Sequence, residues 1–335
     1  MKPLQNQNIL LIGIGFYDYE TAIANEFRSL GAQVWIENEQ PPKNGTPLGK
    51  FWPSRMSQGD ARIQRHHSAM LARIRRLGRL DHVIVIKGSH LSKEFIIEMR
   101  RAQPHARFTA YHWDSMVRFP DLERRQDLFD KCFTFDHADA ERNSKLIHRP
   151  LFYRSELGES DVEATSVDLC FVGWLHHDRL RQVEEIRKQA EALDLSTFFY
   201  LSTGKLSQAK LRLQGRGGDV YSHPQPFSAY VNNTRSARAI LDLPHPSQAG
   251  LTMRAIESIG ANRKLITTNS DVRMYDFYHP NNIHIIDGDV PCIDPTFLTT
   301  SRATIRQDIV ERYSLRAWAL DITGATQPSQ FLRSK

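Results

Sequence analysis

Little in this sequence of 335 residues suits cross-linking, metal capture or membrane insertion. Its three cysteines, Cys132, Cys170 and Cys292, are scattered, without the spacing of a disulfide framework or a zinc site, so a reducing, cytoplasmic compartment is expected. The longest apolar run, around Ile9–Ile14, is strand-sized, far short of the roughly 18 residues a membrane span needs, and Met1–Asn6 lacks a signal-peptide core. Neither Gly-x-x-x-x-Gly-Lys-Ser/Thr nor Gly-x-Ser-x-Gly occurs, which removes support from a P-loop kinase and an α/β-hydrolase. The adjacent pairs His66-His67 and His176-His177 lack the i, i+4 spacing of a zinc-binding helix, and Asp287-Gly-Asp289, formally an Asp-x-Asp metal clamp, also reads as an Asp-Gly turn. No metal and no cofactor is expected.

Acid is missing from one place in particular. Residues 62–79 hold six arginines and no carboxylate, while the whole chain carries a net charge of +6, so the basicity is local. A nucleic-acid partner is therefore not expected. Ile63, His67, Met70, Leu71, Ile74 and Leu77 mark one side of a helix here. Its cationic remainder would suit peripheral contact with the inner face of an anionic membrane, or an acidic saccharide; equally, the stripe is a core face and the arginines a solvated one. At 335 residues and 40% hydrophobic, the chain is long enough for two domains.

Residues 239–269 carry the densest signal. The apolar run Ala239–Leu243 stops at Pro244-His245-Pro246, and Ser247 and Gly250 stand where a helix N-terminus leaves amide N–H groups free to attract phosphate. Leu251, Ala255 and Ile259 form a buried stripe, whereas Thr252, Arg254 and Glu257 fall on other faces near the same mouth. Asn262 reads as a left-handed helix stop before a strand at Lys264–Thr268, completing one βαβ unit.

The same arrangement recurs. Asn8–Gly13 enters a turn at Gly15 and Asp18; a dinucleotide fingerprint needs glycine where Asp18 stands, so it is only weakly met, and Asp18 either caps the next helix or borders a ligand. Strands at His82, Arg107 and Lys131 end in Lys87-Gly-Ser-His90, His112-Trp-Asp114 and Asp136-His-Ala-Asp139. Ligands of open α/β sheets bind beyond the carboxyl ends of strands, which makes Lys87, His90, His112 and Asp114 candidates for one wall. Farther on, Val167–Val172 leads to Gly173, where backbone can approach a diphosphate, and to Arg179 in the first helical turn. Thr197–Ser202 leads to Lys205, and His223 follows Tyr221. Residues 38–56 read as a proline-rich loop, 151–165 as a linker, and Arg302–Leu320 as a closing helix.

A helix glutamate, Glu257, followed by the turn residue Asn262, a basic residue and a strand resembles the nucleotide-sugar half of two-Rossmann (GT-B) glycosyltransferases, whose pattern is roughly Glu-Ala-x-x-x-Gly-Lys-Pro-Val-Ile. Tyr111-His-Trp-Asp114, Phe135-Asp-His-Ala-Asp139 and Asp276-Phe-Tyr-His-Pro-Asn-Asn-Ile283 are similar to bacterial polysaccharide-assembly glycosyltransferases, the spore-coat CgeB-like group and glycosyltransferase family 1. The resemblance implies an α/β chain of two Rossmann-like domains facing across a cleft: an acceptor domain at 1–155, a nucleotide-sugar domain at 166–312, and a terminal helix at 313–335 that packs back on the first. It implies that Glu257 binds the donor ribose and that Gly173, Arg179, Lys205, Ser247, Gly250, Thr252 and Arg254 contact the rest of the donor, with His223 near the nucleobase. Gly15, Asp18, Lys87, His90 and His112 fall on the acceptor side, with Asp114 the first choice of catalytic base and Asp18, His90 and His112 the alternatives. Ala249 replaces the further glutamate of many retaining members, so inversion is expected. The implied activity is metal-independent transfer of a sugar from a nucleotide-diphosphate donor to a hydroxyl of a growing surface polysaccharide (capsule, O-antigen or exopolysaccharide), free or lipid-linked. The alternatives are a nucleotide-sugar epimerase of the same fold and a non-catalytic nucleotide-sugar-binding protein.

Overall fold

The computed structural model describes residues 2–15, 18–41, 60–158, 165–176, 178–245, 247–287, 289, 291–327 and 330–333. Most of the loop expected over 38–56, residues 159–164 of the linker expected over 151–165, His177 and Gly288 lie outside the described residues. The chain divides into two compact units. Met1–Pro150, Ser247–Gly250 and Leu315–Ser329 form the first, and Leu151–Pro246, Leu251–Ser314 and Gln330–Lys335 the second.

The first unit is a parallel sheet of β1 (Asn8–Gly13), β2 (Gln33–Asn38), β3 (His82–Ile86), β4 (Arg107–His112), β5 (Lys131–Thr134) and β6 (Leu146–His148), in the order β2-β1-β3-β4-β5-β6. Parallel strands are covered by helices on both faces, which is why Ile9–Ile12 reads as an unbroken apolar run and why all four residues are fully buried. The helices are α1 (Tyr19–Ser29), α2 (Ala61–Ile74), α3 (Lys93–Ala102) and α4 (His137–Arg142). The arginine-rich helix is α2, and Ile63, His67, Met70 and Ile74 are its buried stripe. Three of its neighbouring arginines meet acids of the same unit: Arg62 with Asp60, Arg73 with Glu37 at 2.7 Å, and Arg75 with Glu98 at 3.0 Å.

In the second unit β7 (Val167–Trp174), β8 (Thr197–Ser202), β9 (Val220–Tyr221), β10 (Ala237–Asp242), β11 (Lys264–Thr267) and β12 (Ile283–Ile285) form another parallel sheet, ordered β12-β11-β10-β7-β8-β9. Counted from β7 this is the doubly wound Rossmann order, which reverses direction between β7 and β10. The α-helices are α5 (Arg179–Ala192), α6 (Lys205–Leu213), α7 (Phe227–Ser236), α8 (Met253–Gly260), α9 (Pro295–Thr299) and α10 (Gln307–Arg312). Asn262, with φ of 54°, is the left-handed residue expected after α8.

The helix expected over Arg302–Leu320 is two helices, α10 and α11 (Leu315–Thr323), because the chain between them is tied into the second unit: the Tyr313 hydroxyl donates to Asp276 at 2.7 Å and Ser314 bridges Tyr153. Helix α11 packs with the first unit, where buried Trp318 meets the Tyr111 ring edge-on at 5.0 Å and Asp321 pairs with the fully buried Arg149 at 2.7 Å. Among the described residues, no helix is long and apolar enough to cross a membrane.

Three histidines of the first sheet tie stability to pH. Burial, with Arg107 adding to it, lowers the pKa of His82 to about 4; burial, then Arg125, lowers that of His112 to about 4; and burial, then His137, lowers that of His148 to about 3. All three stay neutral in the fold and take up protons near pH 6.5 once unfolded. Their contribution is therefore whole above the unfolded value and is lost as pH falls from about 6.5 towards 4 and below, with a combined slope of at most about 4 kcal/mol per pH unit. Denaturant titrations between neutral pH and pH 5 should show this decline, and His112→Asn should flatten its slope even if it lowers stability overall. An unchanged slope would rule out His112 as a source.

Candidate functional site

The carboxyl ends of β7 and β10, where the second sheet reverses, gather four of the nine residues expected to hold a donor: Gly173, Arg179, Thr252 and Arg254. Gly173 is the penultimate residue of β7. A Cβ there would lie 3.1 Å from the Phe171 ring and 3.2 Å from the Arg254 guanidinium, so glycine is what permits this close packing. Asp242, the last residue of β10, is 1% exposed and organises the neighbourhood. One of its oxygens accepts from the Thr252 hydroxyl at 2.8 Å and Arg254 Nε at 3.1 Å, the other from the Thr267 hydroxyl at 3.2 Å. Thr252 is also the N-cap of α8, accepting from the Ala255 amide.

Arg179, the first residue of α5, is buried against the same strand ends. Its Nε donates to the Leu243 carbonyl at 3.1 Å and Nη1 to the Trp174 carbonyl at 2.5 Å, so it bridges the two strands that flank the reversal. Burial, with Arg254 beside it, lowers its pKa to about 9, which leaves it charged at neutral pH. Both guanidiniums lie near the Phe171 ring, at 5.7 Å and 5.2 Å. Arg254 thus pairs with Asp242 while Arg179 beside it is held by carbonyls, leaving one surplus positive charge next to the N-terminus of an α-helix.

The other expected donor residues are placed less uniformly. Glu257 lies on α8 but is 1% exposed and accepts a hydrogen bond from the Tyr230 hydroxyl of α7, so a ribose would have to displace that hydroxyl to reach it. His223 meets the Tyr200 hydroxyl at 3.0 Å, and Tyr200 stacks flat on Tyr221 at 3.9 Å, an aromatic pair on β8 and β9. Lys205 is exposed at the start of α6, past β8 and hence one strand removed from the reversal. Ser247 and Gly250 do not begin the helix as expected, because α8 starts at Met253. Ser247–Gly250 belongs to the first unit, where the Ala249 amide donates to Asp136 at 3.2 Å and a Cβ on Gly250 would come within 2.6 Å of the Phe135 ring. This packing replaces the helical turn expected there.

In the first unit, the glycine turn after β1 is already filled. The amides of Ile14 and Gly15 both donate to one oxygen of Glu20 at 2.9 Å, so the side chain of α1's first turn takes the place a phosphate would. Asp18 holds the N-cap position without a side-chain capping bond. Lys87, past β3, has a φ of 69°, a costly backbone state for a residue with a side chain, and its ammonium meets Asp114 at 2.6 Å. Asp114 also pairs with Arg118 at 3.3 Å, so it is held between two cations. His112 is buried at the end of β4, with neither ring nitrogen hydrogen-bonded among the described residues. His90 has a different environment: its Nδ1 lies 2.8 Å from a carboxylate oxygen of Glu39, which is fully buried and also accepts from the Ser89 hydroxyl at 3.1 Å.

Three of these residues were not singled out from sequence. Glu39 falls at the head of the proline-rich loop, but it is a carboxylate just past β2, a strand of the same sheet as the one leading to His90, which is the available signal. Glu20 was overshadowed by Asp18, and Asp242 read only as the end of a strand. Asp287, weighed earlier as half of a metal clamp, accepts from the Asp289 amide at 2.7 Å, an Asx turn. Among the described residues, no group of three or more His, Cys, Asp or Glu side chains could hold a metal ion.

No family model matches the chain, and no curated protein matches its sequence. Among solved structures it is similar to AviGT4, a glycosyltransferase involved in avilamycin A biosynthesis, with a TM-score of 0.59 at 13% identity over 95% of this chain and 96% of that one. It is also similar to S. aureus MnaA in its co-structure with UDP (TM-score 0.51, 9% identity, 96% and 92% covered) and to a UDP-N-acetylglucosamine 2-epimerase (TM-score 0.48, 10% identity, all of both chains). At such identities the first two likenesses show the fold alone: α/β, with two Rossmann-like sheets, as in the GT-B class.

If the surplus charge at β7 and β10 receives a diphosphate, Arg254→Gln should weaken nucleoside diphosphate binding roughly ten- to hundredfold, because a hydrogen bond to a charged group contributes about 1.5–3 kcal/mol. Affinity for the unphosphorylated nucleoside should not move. Calorimetry giving the same loss for both ligands would exclude this assignment.

Proposed function

We propose that the chain is an inverting, metal-independent glycosyltransferase that uses a nucleotide-diphosphate sugar. The observation that carries this reading is that Arg254 pairs with the buried carboxylate Asp242 while Arg179 close by is held by carbonyls, beside Gly173 and the first turn of α8. In this reading Gly173 lets the diphosphate approach the backbone, Arg254 and the α8 amides take up the charge that develops on the leaving group, and Arg179 fixes the strand ends that frame it. Thr252 keeps Arg254 in place through their shared carboxylate. Glu257 contacts the ribose after releasing Tyr230, and the Tyr200–Tyr221 pair with His223 receives the base. Ser247, Gly250 and Lys205 are left out of the donor contacts.

The proposed base is His90 rather than Asp114. With Nδ1–H donating to Glu39, Nε2 is the proton acceptor, facing the Gln40 amide nitrogen at 3.4 Å that an acceptor hydroxyl would displace, the arrangement of a base held in one tautomer by a buried carboxylate. Asp114 would have to give up two ion pairs to accept a proton, so its role here is to position Lys87. In the reaction the acceptor oxygen attacks the anomeric carbon, the bond from that carbon to the diphosphate oxygen breaks, and the hydroxyl proton passes to His90 Nε2. The acceptor in this reading is a hydroxyl of a surface polysaccharide or its lipid-linked precursor, which the similarity of the motifs around Asp114, Asp139 and Asp276 supports.

A cell-free assay with panels of nucleotide sugars and glycan acceptors, run in EDTA, tests the reading. Transfer should persist, and His90→Ala should lower kcat about a hundredfold or more while donor affinity stays constant. Glu39→Gln should lower kcat in the same direction. Conversion of donor to an epimer with no acceptor present would instead identify a nucleotide-sugar epimerase.

A further inference from the structure

The nine-residue helix α6 has no buried residue. Leu206 is 85% exposed and Leu213 90% exposed, whereas no other large exposed apolar side chain among the described residues exceeds the 56% of Val117. Seven residues apart, the two leucines lie nearly above one another, with Ala209 between them. The opposite side of the helix is the one that packs: Leu211 against the hydrophobic core, and Gln208 donating to the Val220 carbonyl at 2.7 Å. The leucine stripe is therefore turned outward, not misplaced core.

Cations border that stripe on both sides. At about 100° per residue, Lys210 falls on one flank and Lys205 and Arg212 on the other. All three are exposed, and none is in an ion pair among the described residues; Arg216, just beyond the helix, pairs with Glu184. Helix α6 contains no acid. This contrasts with α2 and its flanks, where Arg62, Arg73 and Arg75 are paired with acids of the fold. An exposed leucine row between unpaired cations complements a surface that is apolar beneath and negatively charged above.

We propose that α6 is a membrane-docking helix, which seats Leu206 and Leu213 in the boundary of an anionic lipid surface while Lys210, Arg212 and Lys205 engage the headgroups. Nine residues in helix extend about 13 Å, enough for a surface anchor and too short to span a bilayer. The inference does not depend on the reaction proposed above.

Sedimentation of the full chain with vesicles of equal parts phosphatidylcholine and phosphatidylglycerol, beside vesicles of phosphatidylcholine alone, tests it. The parent should bind the mixed vesicles and not the neutral ones. Leu206→Ser combined with Leu213→Ser should reduce partitioning roughly tenfold or more, and Lys210→Gln with Arg212→Gln should do so by roughly twenty-fivefold, at about fivefold for each cation removed. Because these side chains are exposed, the melting temperature of both variants should match the parent's. The proposal is overturned if the parent does not bind anionic vesicles, if the leucine variant binds as the parent does, or if Arg65→Gln with Arg76→Gln and Arg79→Gln removes binding while the α6 variants retain it. It is equally overturned if light scattering shows a parent dimer that the leucine variant dissolves without change in vesicle binding, since a second copy would then be what covers the stripe.

Discussion

One buried carboxylate, Asp242, fixes the part of the second unit where its sheet reverses direction. It joins the end of β10 to the cap of α8 through Thr252, to the guanidinium of Arg254, and to β11 through Thr267. A charge this deeply buried is tolerated only when its hydrogen-bonding capacity is met, and here two hydroxyls and a guanidinium meet it. Because Arg179 adds a second cation that only carbonyls hold, neutralisation stops one charge short. The imbalance lies where an open parallel sheet reverses direction, the position at which such sheets bind ligands.

The two units treat the loop after their first strand in opposite ways. In the first, Glu20 fills the amides of Ile14 and Gly15 with an anion of the chain's own. In the second, Gly173 packs against a cation, and cations exceed the local carboxylate. The same topology is thus self-satisfied in one unit and attractive to an external anion in the other. The first unit's remaining polar groups lie past β2, β3 and β4, as the Glu39–His90 pair and the cation-held Asp114.

The fold was legible because parallel strands buried on both faces are unbroken apolar runs, and those of Ile9–Ile12 and Ala239–Leu243 could not be anything longer. That Gly173 lies near Thr252 and Arg254 follows from topology: Gly173 is at the end of β7, the other two open the helix after β10, and β7 and β10 are paired. What stayed hidden was set by partners distant in sequence. Nothing local to Ser247–Gly250 shows that Asp136 and Phe135 hold it out of the helix. Nothing near Glu257 shows that Tyr230 covers it. The arginine-rich α2 drew attention through composition, yet Arg73 and Arg75 at its end are answered by acids far along the chain, while α6 entered the sequence reading only through Lys205. His90 and Asp114 were interchangeable as candidates until their neighbours separated them.

A crystal structure of the chain grown with a nucleoside diphosphate bears most directly on the charge imbalance at β7 and β10. The diphosphate should lie within hydrogen-bonding reach of Arg254 and of the backbone at Gly173 or the first turn of α8, with Asp242 still bound to Thr252. A diphosphate found at the Gly13–Gly15 turn in place of Glu20, or bound by surface residues away from Arg254, would contradict that expectation.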